Sequence, residues 1–238
     1  MQGTAQGKRV NAAVGKIKHV FTKQSRQKKV DHFYSLYGGG NVLDVGVSSN
    51  QQIPFTNFFL NTFQPPGGCY TGLGIEDLTG IAALHHDKSF VRYAGGVFPF
   101  KDKAFEWVFS NAVIEHVGPA ENQLQFVVEM LRVGRRVFFT TPNKFFLVET
   151  HTNLPLVHWH DGLLDLWCAR FRPRLRGNLH LLSYRQLDTL MQKTNAHYTI
   201  YRNRLLLPIG VLTPTFTVAC SNTASDWDSI RLRQVGMS

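Results

Sequence analysis

Asn41 to Asn50 reads NVLDVGVSSN, and the rest of the chain is organised around it. An apolar run with two branched valines ends in Asp44, Gly46 and a short polar turn. That pattern predicts a buried parallel strand feeding a ligand-binding loop at its carboxyl end. Tyr70 to Asp77 (YTGLGIED) repeats the plan, an apolar strand closing on the acidic pair Glu76-Asp77. A strand ending in glycine, followed by a strand ending in an acid, is how doubly wound sheets hold an adenosine ribose.

Outward from this pairing, strands and helices alternate. Phe55, Phe58, Phe59 and Phe63 form one apolar face of a helix, and Pro65 to Gly68 make a turn before the second strand. A third strand is expected over Phe90 to Ala94, ending at Gly95-Gly96. The fourth is AFEWVFS, Ala104 to Ser110. Leu124, Val127, Val128 and Leu131 mark a helix with Gly134 as its stop. Arg136 to Thr141 (RVFFTT) is a fifth strand. From 143 to 180 the period is lost while Trp, His and Arg accumulate, which reads as an insertion beside the active edge of the sheet. Ser183 to Gln186 opens a helix with a capping box. Tyr198 to Leu205 and Thr215 to Ser221 close the domain as an antiparallel strand pair. The expectation is an α/β, Rossmann-like, doubly wound and mostly parallel sheet. Its domain runs over 38–221, between a basic N-terminal helical segment, 1–37, and a polar tail, 222–238.

The chain has 238 residues and a net charge of +10, unevenly placed. Eight Lys and Arg and no acid lie between Met1 and Val30, and Arg170, Arg172, Arg174 and Arg176 form a second cluster. Val10, Val14, Ile17 and Phe21 recur at helical spacing opposite Arg9, Lys16, Lys18 and Lys23, giving a short basic amphipathic helix. It either docks on the domain or lies on an anionic membrane. No apolar run approaches the roughly 20 residues of a membrane span, and the basic N-terminus lacks the apolar segment of a secretory signal. Cys69, Cys168 and Cys220 match no disulfide or metal spacing. A cytoplasmic location, with peripheral membrane contact, follows as the expectation.

The first loop also limits its ligand. A dinucleotide site needs the three glycines of G-x-G-x-x-G to bring the backbone up to a pyrophosphate. Here Gly46 stands alone, followed by Val47, Ser48, Ser49 and Asn50, and Pro54 delays the next helix. A nucleoside ligand without phosphates fits this loop together with Glu76.

Five segments in order carry a family resemblance. NVLDVGVSSN resembles the first motif of class I S-adenosylmethionine-dependent methyltransferases, and GIED their second-strand acid. Val91 to Val117 (VRYAGGVFPFKDKAFEWVFSNAVIEHV) is similar to the block around their third and fourth strands. TTPN, Thr140 to Asn143, and VETHTNLPLVHW, Val148 to Trp159, resemble a bacterial branch that often acts on small molecules or glycans. The resemblance spans about residues 40 to 160. It implies S-adenosylmethionine as cofactor, with the backbone of Gly46, Val47 and Ser48 near the methionine part and Asp44 close by. Glu76, beside Asp77, would accept from the ribose hydroxyls. Gly95 and Gly96 would lie near the adenine, and Ser110 and Asn111 near the sulfonium end. The sequence departs from the pattern at Ser48 and Asn50, where glycines are usual, at Glu106, where aspartate is usual, and near Gly95, where an acid is missing. Asp44 equally suits bonding the loop backbone, and Asp77 capping the next helix.

Methyl transfer needs alignment, exclusion of water and, for a weakly acidic acceptor, a general base. His116, which follows the fourth strand, is the first candidate, with His151, His158 and His160 of the insertion next. H-x6-H-x-H-D, completed by Asp161, is not a known tight metal pattern, so no metal is expected. Phe98 and Phe100 read as core. The expected function is methyl transfer to a small-molecule or lipid- or sugar-linked acceptor. The competing reading is a degenerate binding module recruited through its basic N-terminus. No RNA-binding motif is visible, so nucleic acid is not the expected partner.

Overall fold

A computed structural model describes residues 22–52, 56–64, 69–147, 156–207 and 210–235. Seven strands form one sheet in the order β3-β2-β1-β4-β5-β7-β6. They are β1 (Val42–Val45), β2 (Tyr70–Gly74), β3 (Ser89–Arg92), β4 (Phe105–Asn111), β5 (Gly134–Pro142), β6 (His197–Leu207) and β7 (Gly210–Ser221). β1 to β5 pair in parallel, and β7 pairs antiparallel with both β5 and β6. Both faces of the sheet are buried, so its central strands are apolar nearly throughout.

Side chains alternate between two cores along each strand. Leu43, Val45, Val108 and Val137 face α4 (Ala120–Val133) and α6 (Tyr184–Gln192). Val42, Trp107, Phe109 and Phe138 face helix α1 (22–36), α2 (Phe58–Thr62), α3 (Thr79–Ala82) and α7 (Ala224–Val235). The second core is largely aromatic. Phe33 of α1 is fully buried, with its ring centroid 5.2 to 5.5 Å from those of Phe59, Phe109, Trp107 and Phe138.

α6 begins with the capping box that the sequence predicts, Ser183 and Gln186 each bonding the other's backbone. Elsewhere the structure adds what the sequence does not show. Within the N-terminal helical segment, α1 buries Val30, Phe33 and Leu36 in the second core. The helix expected over 8–23 lies outside the described residues up to 21. Gly134 stops α4 as expected; it is extended at φ −106° and opens β5 directly. A Cβ there would press on Val108 Cγ2 and the Met130 carbonyl, so close packing is what requires the glycine. The polar tail contains α7, seated by Ile230 and by Arg136, whose guanidinium bonds Ser229 Oγ at 2.8 Å and Asp226 at 3.0 Å.

The insertion is also more regular than its sequence suggests. Beyond 148–155, which lie outside the described residues, it contains α5 (Asp161–Phe171), joined to the end of β5 by the Lys144–Asp161 ion pair at 2.8 Å. Leu164 and Cys168 turn inward onto Leu179 and Leu181. Leu163 and Leu166 turn outward, so apolar residues on both faces hide the helical period.

Replacing Phe33 by Ala should cost roughly 3–5 kcal/mol, the usual range for a fully buried aromatic. Urea unfolding of Phe33→Ala measures it. A loss below about 1 kcal/mol would mean that α1 is not part of the core.

Candidate ligand-binding crevice

The crossovers reverse face between β1 and β4, which leaves a crevice beyond the carboxyl ends of these strands. Gly46 forms its floor. Its φ of +100° turns the chain sharply after β1, and its amide and that of Val47 both donate to the Leu73 carbonyl, at 2.8 and 3.1 Å. A Cβ at Gly46 would collide with Val113, and one at Gly74 with the Val47 carbonyl. Loop and strand meet backbone to backbone, and the Val47 side chain is buried core.

Glu76, at the end of β2, faces this loop. Its Oε2 accepts from Ser49 N and Ser49 Oγ, both at 2.6 Å, and from Ser48 Oγ at 3.0 Å. These bonds, led by the Ser49 hydroxyl, hold its pKa below the usual carboxylate range. Asn57 braces the loop from the other side, accepting from Ser48 N at 3.0 Å and donating to the Ser48 carbonyl at 2.7 Å. Asp77 Oδ1 accepts from Thr79 N and Oγ1 at the start of α3.

The opposite wall is the segment between β3 and β4. Gly95 and Gly96 have φ of +92° and +77° and are exposed, with nothing within 4 Å of a Cβ at either. The segment after them is fixed from α4. Glu129 accepts from Phe98 N, while Arg132 donates to the Phe98 and Phe100 carbonyls and pairs with Asp102. Phe98 is core, as expected. Glu106 points away, toward Arg135 and Arg136 at the other end of the sheet.

The base of the crevice is polar and buried. Asp44 turns toward α1 and accepts from the Tyr70 hydroxyl at 2.5 Å, and burial pushes its carboxyl up to about 7. Ser110 is buried, its hydroxyl bonded to the Val45 carbonyl at 3.1 Å. Asn111 Oδ1 accepts from Thr140 Oγ1 at 2.7 Å and from Lys29 Nζ at 3.3 Å. Lys29 comes from α1 and is only 7% exposed; burial, then the charge of Arg26, pull its pKa down to about 8, while Glu115 raises it. Glu115 is fully buried after β4, where Thr141 Oγ1 donates to it at 3.4 Å.

The structure therefore brings Gly46, Ser48, Glu76, Gly95, Gly96 and Asn111 around the crevice. It turns the polar atoms of Asp44, Asp77 and Ser110 to internal partners. Lys29, Glu115, Ser49 and Asn57 join the site without having been picked out in the sequence. A signal for Lys29 exists: it lies four residues before Phe33 and seven before Leu36, on the stripe that α1 buries.

The histidines separate. His116 is exposed just past β4, and its Nδ1 donates to the Asn178 carbonyl at 3.2 Å. His158 is buried, with Nε2 donating to the Phe146 carbonyl at 2.8 Å, a structural position. His151 lies outside the described residues, and Asp161 pairs with Lys144. Among the described residues no three potential ligands stand together as a metal site. Beside this edge a groove of about 760 Å³ opens between α4, α5 and α6, with Leu124, Leu164, Leu179 and Leu190 in its walls and Arg185 and Lys193 lining it as well. His180 lines it too, and its amide donates to the Glu115 carbonyl at 2.7 Å, so groove and crevice share a wall.

The residues present fit a nucleoside without phosphates. The Glu76 carboxylate collects hydroxyl donors, the Gly95-Gly96 shelf leaves open space, and no Lys or Arg occurs from 41 to 63 to meet a pyrophosphate. No sequence-family model matches the chain. It is 32% identical over 77 residues to two uncharacterised Mycobacterium tuberculosis proteins, a match covering 32% of this chain and 25% of theirs. Among solved structures, a SAM-dependent methyltransferase from Thermotoga maritima matches with a TM-score of 0.53 at 12% identity, over 82% of this chain and 88% of that one. One from Methanosarcina mazei also gives 0.53, at 13% identity over 79% and 95%. A Bordetella parapertussis protein, described as a possible exported protein, gives 0.56 at 11% identity over 85% and 68%.

Asp44 sets a pH dependence. The folded protein retains a proton that the unfolded chain gives up near pH 4, so this stabilisation is whole below about pH 4 and is lost as pH rises through about 7. Relative to Asp44→Asn, the wild type should lose up to roughly 4 kcal/mol between these limits. Urea titrations at pH 5 and pH 8 compare the two proteins. Parallel behaviour would show that Asp44 is ionised throughout.

Proposed function

We propose that this chain, which has the class I S-adenosylmethionine-dependent methyltransferase fold, binds S-adenosylmethionine in the crevice beyond β1, β2 and β4 and transfers its methyl group. One observation carries the reading. Glu76 stands at the end of β2 with a single oxygen already gathering two hydroxyls and an amide. Two ribose hydroxyls are donors of the same kind, and a carboxylate accepting both is strongly favoured. When bound, the cofactor supplies a methyl on a sulfonium sulfur, and the carbon–sulfur electron pair stays on sulfur as the methyl leaves. The protein's part is then to orient the acceptor and keep water out.

Ser48 and Ser49 occupy the Glu76 oxygen in this conformation, so the loop must release it for the ribose. This same latch favours a second reading, a binding module that no longer takes the cofactor. Calorimetry with adenosylmethionine and adenosylhomocysteine decides between them, since the second reading requires that neither bind.

The acceptor we infer is a small molecule or a lipid- or sugar-linked compound approaching along the groove between α4, α5 and α6. Leu163, Leu166, Trp159 and Phe171 are exposed on or beside α5, with Arg170 and Arg172 among them. Apolar and basic groups together suit the surface of an anionic membrane. Among the described residues no helix is long and apolar enough to cross one.

Glu76→Ala should weaken adenosylhomocysteine binding by roughly 10- to 100-fold, the loss of two charge-assisted hydrogen bonds. Ser49→Ala should instead strengthen it by about 3-fold or more, by loosening the latch. Unchanged affinity in Glu76→Ala would place the ribose elsewhere.

A further inference from the structure

Lys29 reaches the carboxyl end of β4 from outside the sheet. Its Nζ lies 3.3 Å from Asn111 Oδ1, and that oxygen also accepts from Thr140 at 2.7 Å, which fixes the amide between two strands and α1. An ammonium so deeply buried would ordinarily have a carboxylate as its direct partner; among the described residues the contact is a neutral amide. Among the described residues, the charged groups acting on it are Arg26, one turn earlier on α1, which opposes its charge, and Glu115, after β4, which supports it.

We propose that Lys29 Nζ is the proton-exchanging group of this crevice: it releases its proton when a sulfonium-bearing ligand enters beside Asn111, and then stands as a neutral amine for the acceptor's proton. This rests on the binding reading above. A second cation entering a site that already holds a buried ammonium is repelled strongly, and of the two only the lysine can discharge itself. Its pKa, already near 8, needs only a modest further fall. Buried lysines serve as bases in this way because the ammonium, unlike a guanidinium, gives up its proton readily. In the transfer, the acceptor heteroatom forms its bond to the methyl carbon and its own proton moves to Nζ, restoring the ammonium. His116, exposed at the rim, is not required for that step.

Calorimetry in two buffers of different ionisation enthalpy counts the protons. At pH 7.5 the wild type should release about half a proton or more per adenosylmethionine bound beyond that seen with adenosylhomocysteine, which has no sulfonium charge. In Lys29→Met this excess should shrink by that same amount, with an unchanged far-UV circular dichroism spectrum as the control for folding. Protons held by the ligands themselves or by Asp44 are common to both proteins and cancel in the comparison. If Lys29→Met does not fold, Lys29→Arg gives the same comparison, since arginine keeps its proton at this pH. Equal excess release in wild type and variant overturns the inference and leaves the cofactor reading intact. Failure of both compounds to bind removes that reading, and the role of Lys29 with it.

Discussion

The constraint on which the structure depends is the burial of a parallel sheet on both faces. Each parallel connection must leave the sheet, cross one face and return, so helices cover both sides. Between β1 and β4 the crossovers change face, and no helix can close over the gap between their carboxyl ends. The crevice follows from this reversal rather than from any single residue. Gly46 and Gly74 then decide how deep it is. Because neither carries a Cβ, the first loop settles onto β2 and brings Ser48 and Ser49 within reach of Glu76.

Charge within the crevice is divided. Glu76, toward solvent, is held ionised by donors from the loop, whereas Asp44 and Lys29, in the interior, are both pushed toward their neutral forms. The difference is one of environment. Hydrogen bonds to the charged form dominate at the rim, and desolvation dominates below it. A site arranged in this way presents a fixed anion at one end and groups able to exchange protons at the other. That division suits a ligand with a polar sugar at one end and a reacting centre at the other.

The fold was legible because its signals are local and redundant. The runs at Val42, Leu73 and Val137 are apolar, short and bounded by glycine or proline, and each is a strand. α5 was not legible, because the satellite core around Leu179 buries one of its faces and leaves Leu163 and Leu166 exposed on the other. α7 was hidden for a related reason: much of what seats it is Arg136, far away in sequence, gripping Asp226 and Ser229. Lys29 sat in a basic stretch that composition alone assigns to solvent, and only the packing of α1 through Phe33 carries it inside.

By itself, then, the sequence determined the strand–helix alternation, the glycine after β1 and the acid after β2, since each rests on neighbours a few residues apart. Tertiary structure alone decided which polar atoms face the crevice. It turned Asp44 to Tyr70, Ser110 to the Val45 carbonyl and Asp77 to Thr79, and brought Lys29 to Asn111. Except at Asp77, these partners are separated by tens of residues. A buried polar group must find a partner wherever the packed chain puts one, and that choice is made only when the helices have closed on the sheet.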